Sequence, residues 1–224
     1  MRFRAASDQA VLVYLGDEIG LPSHERVLKL LQQLQNDPPK WLRNVQPAYA
    51  SLMVTFDLTR VGHAEVESVL RNYEKRAVAA RKTKARLVEI PVCYGREFGP
   101  DLEAVARFHG ISPDEVIKLH CSQTYHAYFL GFAPGFAYLG DLPGELATPR
   151  LETPRKRVRA GSVGIAGKQT AIYPFATPGG WRLIGRTPMA VFRSDRKPMN
   201  LISIGDRVKF RAISRAQFLQ MESG

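Results

Sequence analysis

A basic, glycine-rich segment between residues 131 and 186 contains the side chains best suited to chemistry. Its acidic residues are only Asp141, Glu145 and Glu152, whereas its basic residues are Arg150, Arg155, Lys156, Arg157, Arg159, Lys168, Arg182 and Arg186. Glycine permits a positive φ or the close approach of another group, and proline holds φ at a turn value. The segment is therefore predicted to form tight turns around a site whose local field favours an anion.

Two arginines of this segment are candidates for binding a substrate. Arg150 and Arg155 lie on either side of Pro154, and a guanidinium can bind a carboxylate or a phosphate through two parallel hydrogen bonds. Arginines on a solvated turn would give the same pattern, so both interpretations stay open. We predict Arg150 and Arg155 as substrate-binding residues, and the sequence assigns no catalytic residue.

The loop from Gly161 to Lys168 resembles a phosphate-binding loop without matching one. Five residues separate Gly161 from Gly167 where the Walker pattern has four, and Gln169 stands where that pattern has Ser or Thr. The classical P-loop is thereby excluded, while a nucleotide or another anion held in a different way stays open. We predict Gly161, Gly164, Gly167 and Lys168 as cofactor-binding residues on this basis.

Three further side chains could hydrogen-bond an amide substrate. Gln169 and Tyr173 alternate on one predicted strand face, and Ser162 lies in the preceding glycine-rich turn. Ser162 is outside a GxSxG elbow, which argues against a nucleophile, and a turn-stabilising hydroxyl is the simpler alternative. The aromatic residues of the segment (Phe132, Phe136, Tyr138 and Trp181) are more often core than ligand walls.

Metal ligands and acid–base pairs are not indicated by the sequence. Cys93, His120, Cys121 and His126 show no recognised ligand spacing, so we predict no metal site. Paired carboxylates are also missing from the glycine-rich segment. If the protein is an enzyme, its own chain is expected to hold only part of the catalytic set.

Composition limits the classes of protein that the chain can belong to. The 224 residues are 45% hydrophobic and carry a formal net charge of +11, which favours an acidic partner. No nucleic-acid-binding motif accompanies the charge. The apolar run from residue 10 to 15 is too short for a signal peptide or a membrane span, and the two cysteines form no disulfide framework. We therefore expect a cytoplasmic protein that binds neither nucleic acid nor membrane.

The N-terminal part predicts an α/β domain. Apolar runs at residues 10–15, 45–48, 52–56 and 87–92 predict strands, and apolar residues with helical spacing predict helices after Pro22 and from His63 to about Ala80. The order βαββαβ is that of a ferredoxin-like domain over residues 1–93. A basic run that includes Arg81, Lys82 and Lys84 then forms either a solvated loop or a docking surface.

The remaining part, residues 94–224, predicts two short helices followed by an all-β region. The second helix should begin at Ser112-Pro113-Asp114-Glu115, where Ser112 can cap, Pro113 suits the first position and Glu115 can complete a capping box. Short apolar runs at 125–129, 162–165, 170–173, 189–192 and 207–211 then predict a β-barrel or sandwich. The fold class is accordingly α+β.

Several long segments in this order give the chain a family resemblance. CYGREFGPDLEAVARFHGISPDEVIKLH, LGFAPGFAYLGDLP, PRLETPRKRVRAGSVGIAGKQTAIYP and TPGGWRLIGRTP resemble the B subunits of prokaryotic ATP-dependent 5-oxoprolinases. This family was formerly known as allophanate hydrolase subunit 1 and includes inhibitors of sensor histidine kinases of the Kip type. The resemblance is densest from residue 91 to 193.

The resemblance implies a fold and a function. The implied fold is a small α/β domain followed by a cyclophilin-like β-barrel. The implied activity is the ATP-driven opening of 5-oxoproline to glutamate, shared with a barrel-containing C subunit and with an A subunit, with ATP and magnesium as cofactors held jointly with the partner. A Kip-type kinase inhibitor, or a component of an allophanate or urea-amide hydrolase, is the alternative.

Overall fold

The computed structural model describes residues 1–76 and 85–223, which form two compact units dividing between Lys84 and Ala85. Of the predicted basic docking surface, Arg81, Lys82 and Lys84 lie outside the described residues. The described helices include none that is long and apolar enough to cross a membrane.

The first unit is a four-stranded antiparallel sheet with two helices. Its elements are β1 (Arg2–Ser7), β2 (Ala10–Tyr14), α1 (Leu21–Asn36), β3 (Leu42–Pro47), β4 (Ser51–Phe56) and α2 (His63–Lys75), and the sheet order is β1-β2-β4-β3. In β4, Leu52, Val54 and Phe56 alternate inward and are fully buried. The predicted strands at 10–15, 45–48 and 52–56 are confirmed, whereas β1 was not predicted.

The second unit is built around a closed seven-stranded barrel in the order β10-β7-β6-β13-β5-β12-β9. Its strands are β5 (Leu87–Tyr94), β6 (Tyr125–Leu130), β7 (Ala137–Gly140), β8 (Arg155–Val158), β9 (Ser162–Ala166), β10 (Gln169–Ile172), β11 (Thr177–Gly179), β12 (Arg182–Arg186) and β13 (Arg207–Ala212). Strands β8 and β11 form a separate two-stranded ribbon. Of the predicted alternatives, barrel or sandwich, the structure forms the barrel. The apolar run at residues 189–192 forms no strand but only a bridge from Phe192 to Asn200.

The strand predicted to close the N-terminal domain belongs to the barrel instead. Strand β5 pairs in parallel with β13 over six residues, and its Val88, Ile90 and Val92 lie in the barrel core. The prediction βαββαβ is therefore wrong in its last strand, and the ferredoxin-like arrangement is not confirmed. The predicted boundary after residue 93 falls inside β5, so the division at Lys84 replaces it.

Three helices accompany the barrel: α3 (Leu102–His109), α4 (Pro113–Ser122) and α5 (Arg215–Ser223). The predicted start of α4 is confirmed, because the Ser112 Oγ accepts a hydrogen bond from the Glu115 N–H at 3.1 Å. The Glu115 carboxylate pairs with Lys118 at 3.3 Å. Helix α4 places His120 in the barrel core, fully buried.

Candidate functional site

Three of the predicted site residues share the outer face of the barrel wall. Strands β9 and β10 form an antiparallel hairpin in which Gln169 pairs with Ala166, and the Tyr173 N–H donates to the Ser162 carbonyl at 2.9 Å. The alternate residues of both strands, including Val163, belong to the interior cluster of the barrel. Because side chains alternate across a strand, Ser162, Gln169 and Tyr173 all project outward.

An aromatic cluster covers this outer face. The ring centroids of Phe136 and Trp181 are 5.6 Å apart, those of Phe136 and Tyr173 5.3 Å, and those of Tyr138 and Trp181 5.9 Å, all close to edge-on. Phe136 and Trp181 are buried, as predicted for core aromatics. Gly164 lies beneath them, since a Cβ there would come within 3.1 Å of the Trp181 Cβ. Glycine at position 164 therefore leaves the space that the Trp181 side chain needs.

Arg150 is the exposed cation at the edge of this cluster. Its guanidinium carbon lies 5.8 Å from the centroid of the Trp181 ring, within cation–π range. Burial raises the pKa of Tyr138 and of Tyr173, and the positive charge of Arg150 offsets part of each rise. Both phenols are therefore protonated at neutral pH, and the buried Tyr173 hydroxyl is hydrogen-bonded to the Trp181 backbone. We call Arg150, Tyr138, Gln169, Tyr173 and Trp181 the site face.

A backbone bridge fixes the segment that carries Arg150 against the hairpin. Thr148 and Gly167 form an antiparallel bridge, and the Gly167 N–H donates to the Thr148 carbonyl at 2.8 Å. Because the bridge is antiparallel, Arg150, two residues after Thr148, and Gln169, two residues after Gly167, lie in opposite directions from it. The bridge therefore does not bring these two predicted substrate-binding residues together.

Arg155 differs from Arg150 in that its guanidinium is already paired within the protein. Its Nη2 lies 2.7 Å from Asp101 Oδ1, and its Nη1 lies 3.5 Å from the Trp181 carbonyl. The second Asp101 oxygen accepts the Leu183 N–H at 2.6 Å. The predicted clamp of two arginines is thus reduced to Arg150, and Arg155 instead ties the ribbon to the strand that follows Trp181.

The four predicted cofactor contacts are not gathered around one point. Gly161 and Gly167 flank opposite ends of β9, a distance of about 20 Å for an extended strand. Their N–H groups are committed to the carbonyls of Tyr173, at 2.7 Å, and of Thr148. A phosphate cradle of glycine N–H groups is therefore not formed, and only the exposed Lys168 keeps a free charge for an anion.

A buried polar network behind the site face was not predicted. His120 Nδ1 lies 2.7 Å from the Tyr94 hydroxyl, and Nε2 lies 3.0 Å from Thr170 Oγ1, which in turn donates to the Gly164 carbonyl at 3.1 Å. Complete burial lowers the pKa of His120 to about 3, so the imidazole is neutral. No spacing pattern marks His120, whereas Asp101, directly before α3, has the position of a helix cap and could have been singled out.

Metal ligation has no support in the described geometry. Within residues 1–76 and 85–223, no group of three or more His, Cys, Asp or Glu side chains is placed to hold a metal ion. The site face likewise contains no carboxylate among its members. What it offers at its surface is the exposed guanidinium of Arg150 and the partly exposed amide of Gln169, with the buried Tyr173 and Trp181 behind them, which suits a small anionic amide.

Comparison with known proteins gives the family. The carboxyltransferase domain, subdomains C and D, matches residues 1–202. The B subunit of the 5-oxoprolinase of Bacillus subtilis (strain 168) is 42% identical over 221 residues, covering 94% of this chain and 92% of that protein. The B subunit of the 5-oxoprolinase of Escherichia coli O157:H7 is 40% identical over 203 residues, covering 91% of this chain and 92% of that protein.

A solved structure supports the same assignment. The crystal structure of TTHA0988 has a TM-score of 0.81 at 35% identity, and the match covers 93% of this chain. This chain spans only 40% of the longer TTHA0988 chain. On these matches, the chain belongs to the family of the carboxyltransferase domain, subdomains C and D, together with the B subunits of 5-oxoprolinases.

Proposed function

We propose that this chain is the B subunit of an ATP-dependent 5-oxoprolinase, which opens 5-oxo-L-proline to L-glutamate together with the C and A subunits. The relatives from Bacillus subtilis and Escherichia coli that carry this name support the proposal. The observation that carries it is the site face, where Arg150 is exposed beside Trp181 and two protonated tyrosines.

The chemistry of 5-oxoproline complements that of the site face. The substrate is a flat five-membered lactam with a carboxylate on the carbon next to its nitrogen. Arg150 would pair with the carboxylate, and the Gln169 amide can accept from the lactam N–H or donate to the lactam oxygen. The Trp181 indole, buried beneath the guanidinium of Arg150, would lie behind the bound substrate. These are binding and orienting roles, so a catalytic acid or base has to come from elsewhere.

ATP supplies the driving force for opening a stable amide. Phosphoryl transfer from ATP to the lactam oxygen would make the ring carbon electrophilic, after which water would add and the C–N bond would break to leave an acyl phosphate. A second water would hydrolyse this acyl phosphate to glutamate and phosphate. The net reaction consumes two water molecules and gives glutamate, ADP and phosphate. We propose that ATP and its magnesium are held jointly with the C subunit, because the glycine N–H groups of this chain are already bonded and the site face has no carboxylate.

We also propose that the complex works in the cytoplasm. Cys93 and Cys121 are free thiols, which suits a reducing compartment.

Reconstitution tests the function. The chain should be coexpressed with the C and A subunits of the proposed complex, and glutamate release from 5-oxoproline should depend on ATP and on each of the three components. Allophanate in place of 5-oxoproline tests the urea-amide alternative. An intact three-component mixture that releases no glutamate would contradict the proposal, and binding to a sensor histidine kinase without any contribution to glutamate release would favour a Kip-type inhibitor.

A fluorescence titration tests the site itself. The chain has two tryptophans, Trp41 and Trp181, so the Trp41→Phe variant keeps the site-face indole as the single reporter. We expect 5-oxoproline to change the emission of the assembled complex that contains the Trp41→Phe chain, and not that of a matched complex that also carries Trp181→Phe, with an unchanged signal on addition of L-proline, which lacks the lactam oxygen. Equal responses to both compounds would place the substrate away from this face.

A further inference from the structure

Exposed aromatic side chains border the site face. Phe132 is 63% exposed and Phe175 39% exposed, although both are large apolar residues. The Phe132 ring lies 6.5 Å from that of Tyr173, and the Phe175 ring lies 6.5 Å from that of Phe192. The turn that carries Phe132 also reaches Phe192, because Gly135 packs against its side chain. We call Phe132, Phe175 and Phe192 the aromatic rim.

Phe132 is held outward in an unfavourable backbone conformation. Its φ is 68°, in the left-handed region that aromatic L-residues rarely adopt. The turn is closed by hydrogen bonds from the Gly131 N–H to the Phe136 carbonyl at 3.1 Å and from the Phe136 N–H to the Ala133 carbonyl at 3.0 Å. A glycine would satisfy this backbone without strain. The side chain of Phe132 is therefore retained at a cost that its limited packing within this chain does not explain.

The chain segment from residue 150 to 197, which carries Phe175 and Phe192, is strongly basic. Between residues 150 and 197 only Glu152 and Asp195 are acidic, against eleven basic residues: Arg150, Arg155, Lys156, Arg157, Arg159, Lys168, Arg182, Arg186, Arg193, Arg196 and Lys197. Exposed aromatic side chains together with arginines are typical of the centres of protein interfaces. Two copies of this surface would repel each other, so the charge favours an acidic partner over a second copy of the chain.

We propose that the aromatic rim is the docking surface for the acidic partner protein that completes the site, with Phe132 inserted into an apolar pocket of that protein. The proposal rests on the proposed function for the existence of this partner. It joins two observations: the rim borders the site face, and the site face has no carboxylate of its own. A partner seated on the rim would bring its acidic groups to the substrate and exclude water from it.

The test uses the full chain and the purified C subunit of the same complex, with the dissociation constant measured by calorimetry. Phe132→Gly removes the anchor while relieving the positive φ, so its melting temperature should equal or exceed that of the wild type. We expect Phe132→Gly and Phe175→Ala each to raise the dissociation constant at least about tenfold. Phe108→Ala is the matched control, because Phe108 is 60% exposed on α3 and lies outside the rim.

Four results would overturn the docking surface. The first is that both rim variants bind the C subunit with dissociation constants within about twofold of wild type, and the second is that Phe108→Ala loses as much affinity as they do. The third is that the wild-type chain does not bind the C subunit. The fourth is that the wild-type chain is a dimer and that Phe132→Gly converts it to a monomer. The last would assign the rim to a second copy of the chain.

The proposed function fails in a different way. If the wild-type chain binds the C subunit through the rim but the complete mixture releases no glutamate, the 5-oxoprolinase assignment is wrong and the docking surface stands. If glutamate is released while the rim variants keep wild-type affinity, the docking surface is wrong and the 5-oxoprolinase assignment stands.

Discussion

The two faces of one strand pair in the barrel wall treat polar groups in opposite ways. On the inner face, Thr170 is fully buried and bonded to both His120 and the Gly164 carbonyl. On the outer face, one residue away, Gln169 is partly exposed, and the Arg150 guanidinium is exposed. The inner network is closed on itself, which makes it structural, whereas the outer groups keep capacity for a ligand.

The difference shows which polar residues of this chain are available for function. A buried group whose partners are all within the protein stabilises the fold and has nothing left to offer. Arg155 belongs with the inner set by this criterion, although its place in the sequence suggests the outer set, because Asp101 occupies its guanidinium. Substitutions in the inner set should therefore change stability, and those in the outer set should change activity.

The largest expected effect is on the pH dependence of stability through His120. Its pKa is lowered to about 3 in the folded protein, so below its unfolded pKa of about 6.5 the unfolded chain binds the proton preferentially. Stability should therefore fall as the pH drops from 6.5 toward 3, by on the order of 3 kcal/mol at pH 4. Urea unfolding at several pH values measures this. The His120→Gln variant should lose less stability over the same range, and identical losses would contradict the prediction.

Asp101→Ala should lower the free energy of unfolding by about 2 to 3 kcal/mol, because it leaves the Arg155 guanidinium and the Leu183 N–H without their partner. Asp195→Ala is the control: its ion pair with Arg193 is exposed, so we expect no resolvable change in the free energy of unfolding. Chemical denaturation compares the two. In the Trp41→Phe background, Asp101→Ala should also shift the Trp181 emission. Equal stabilities for Asp101→Ala and Asp195→Ala would show that Asp101 does not stabilise the fold.

Arg150→Gln should lower kcat/KM for 5-oxoproline about 30-fold in the reconstituted complex, because a charge-assisted pair with the substrate carboxylate is lost. Its free energy of unfolding should stay within about 0.5 kcal/mol of wild type, since the side chain is exposed. Arg157→Gln, an exposed arginine on the ribbon, is the matched control at saturating concentrations of the other subunits. If both variants lose activity equally, the loss is not specific to Arg150, and the proposed pairing of Arg150 with the substrate carboxylate is wrong.

The smallest expected effect separates two glycines. Gly161 has φ +79° and an added Cβ would collide with the Thr187 carbonyl, so Gly161→Ala should cost about 2 kcal/mol. Gly167 has φ +53° with open space around it, so Gly167→Ala should cost about 1 kcal/mol. Thermal unfolding gives the comparison. Unchanged stability in both, with weaker ATP binding by the complex, would restore the predicted role of these glycines as nucleotide contacts.

Features that depend on neighbouring residues were predictable from the sequence. Helix α4 begins where Ser112 and Pro113 place its cap, and β10 follows its short apolar run. The position of β5 was not predictable, because the apolar pattern of a strand does not show which sheet the strand joins. Periodicity identifies the buried face of a strand, whereas the strand that pairs with it comes from a distant part of the sequence.

The sequence by itself determined the basic charge, the turn-rich barrel strands and the outward alternation of Gln169 and Tyr173, because these depend on composition and on the two-residue period of a strand. Tertiary structure alone decided which arginine is free. Arg155 meets Asp101 from 54 positions away, whereas Arg150 is exposed and lies against the ring of Trp181. Ion pairing depends on distance in space, and only the folded barrel sets that distance.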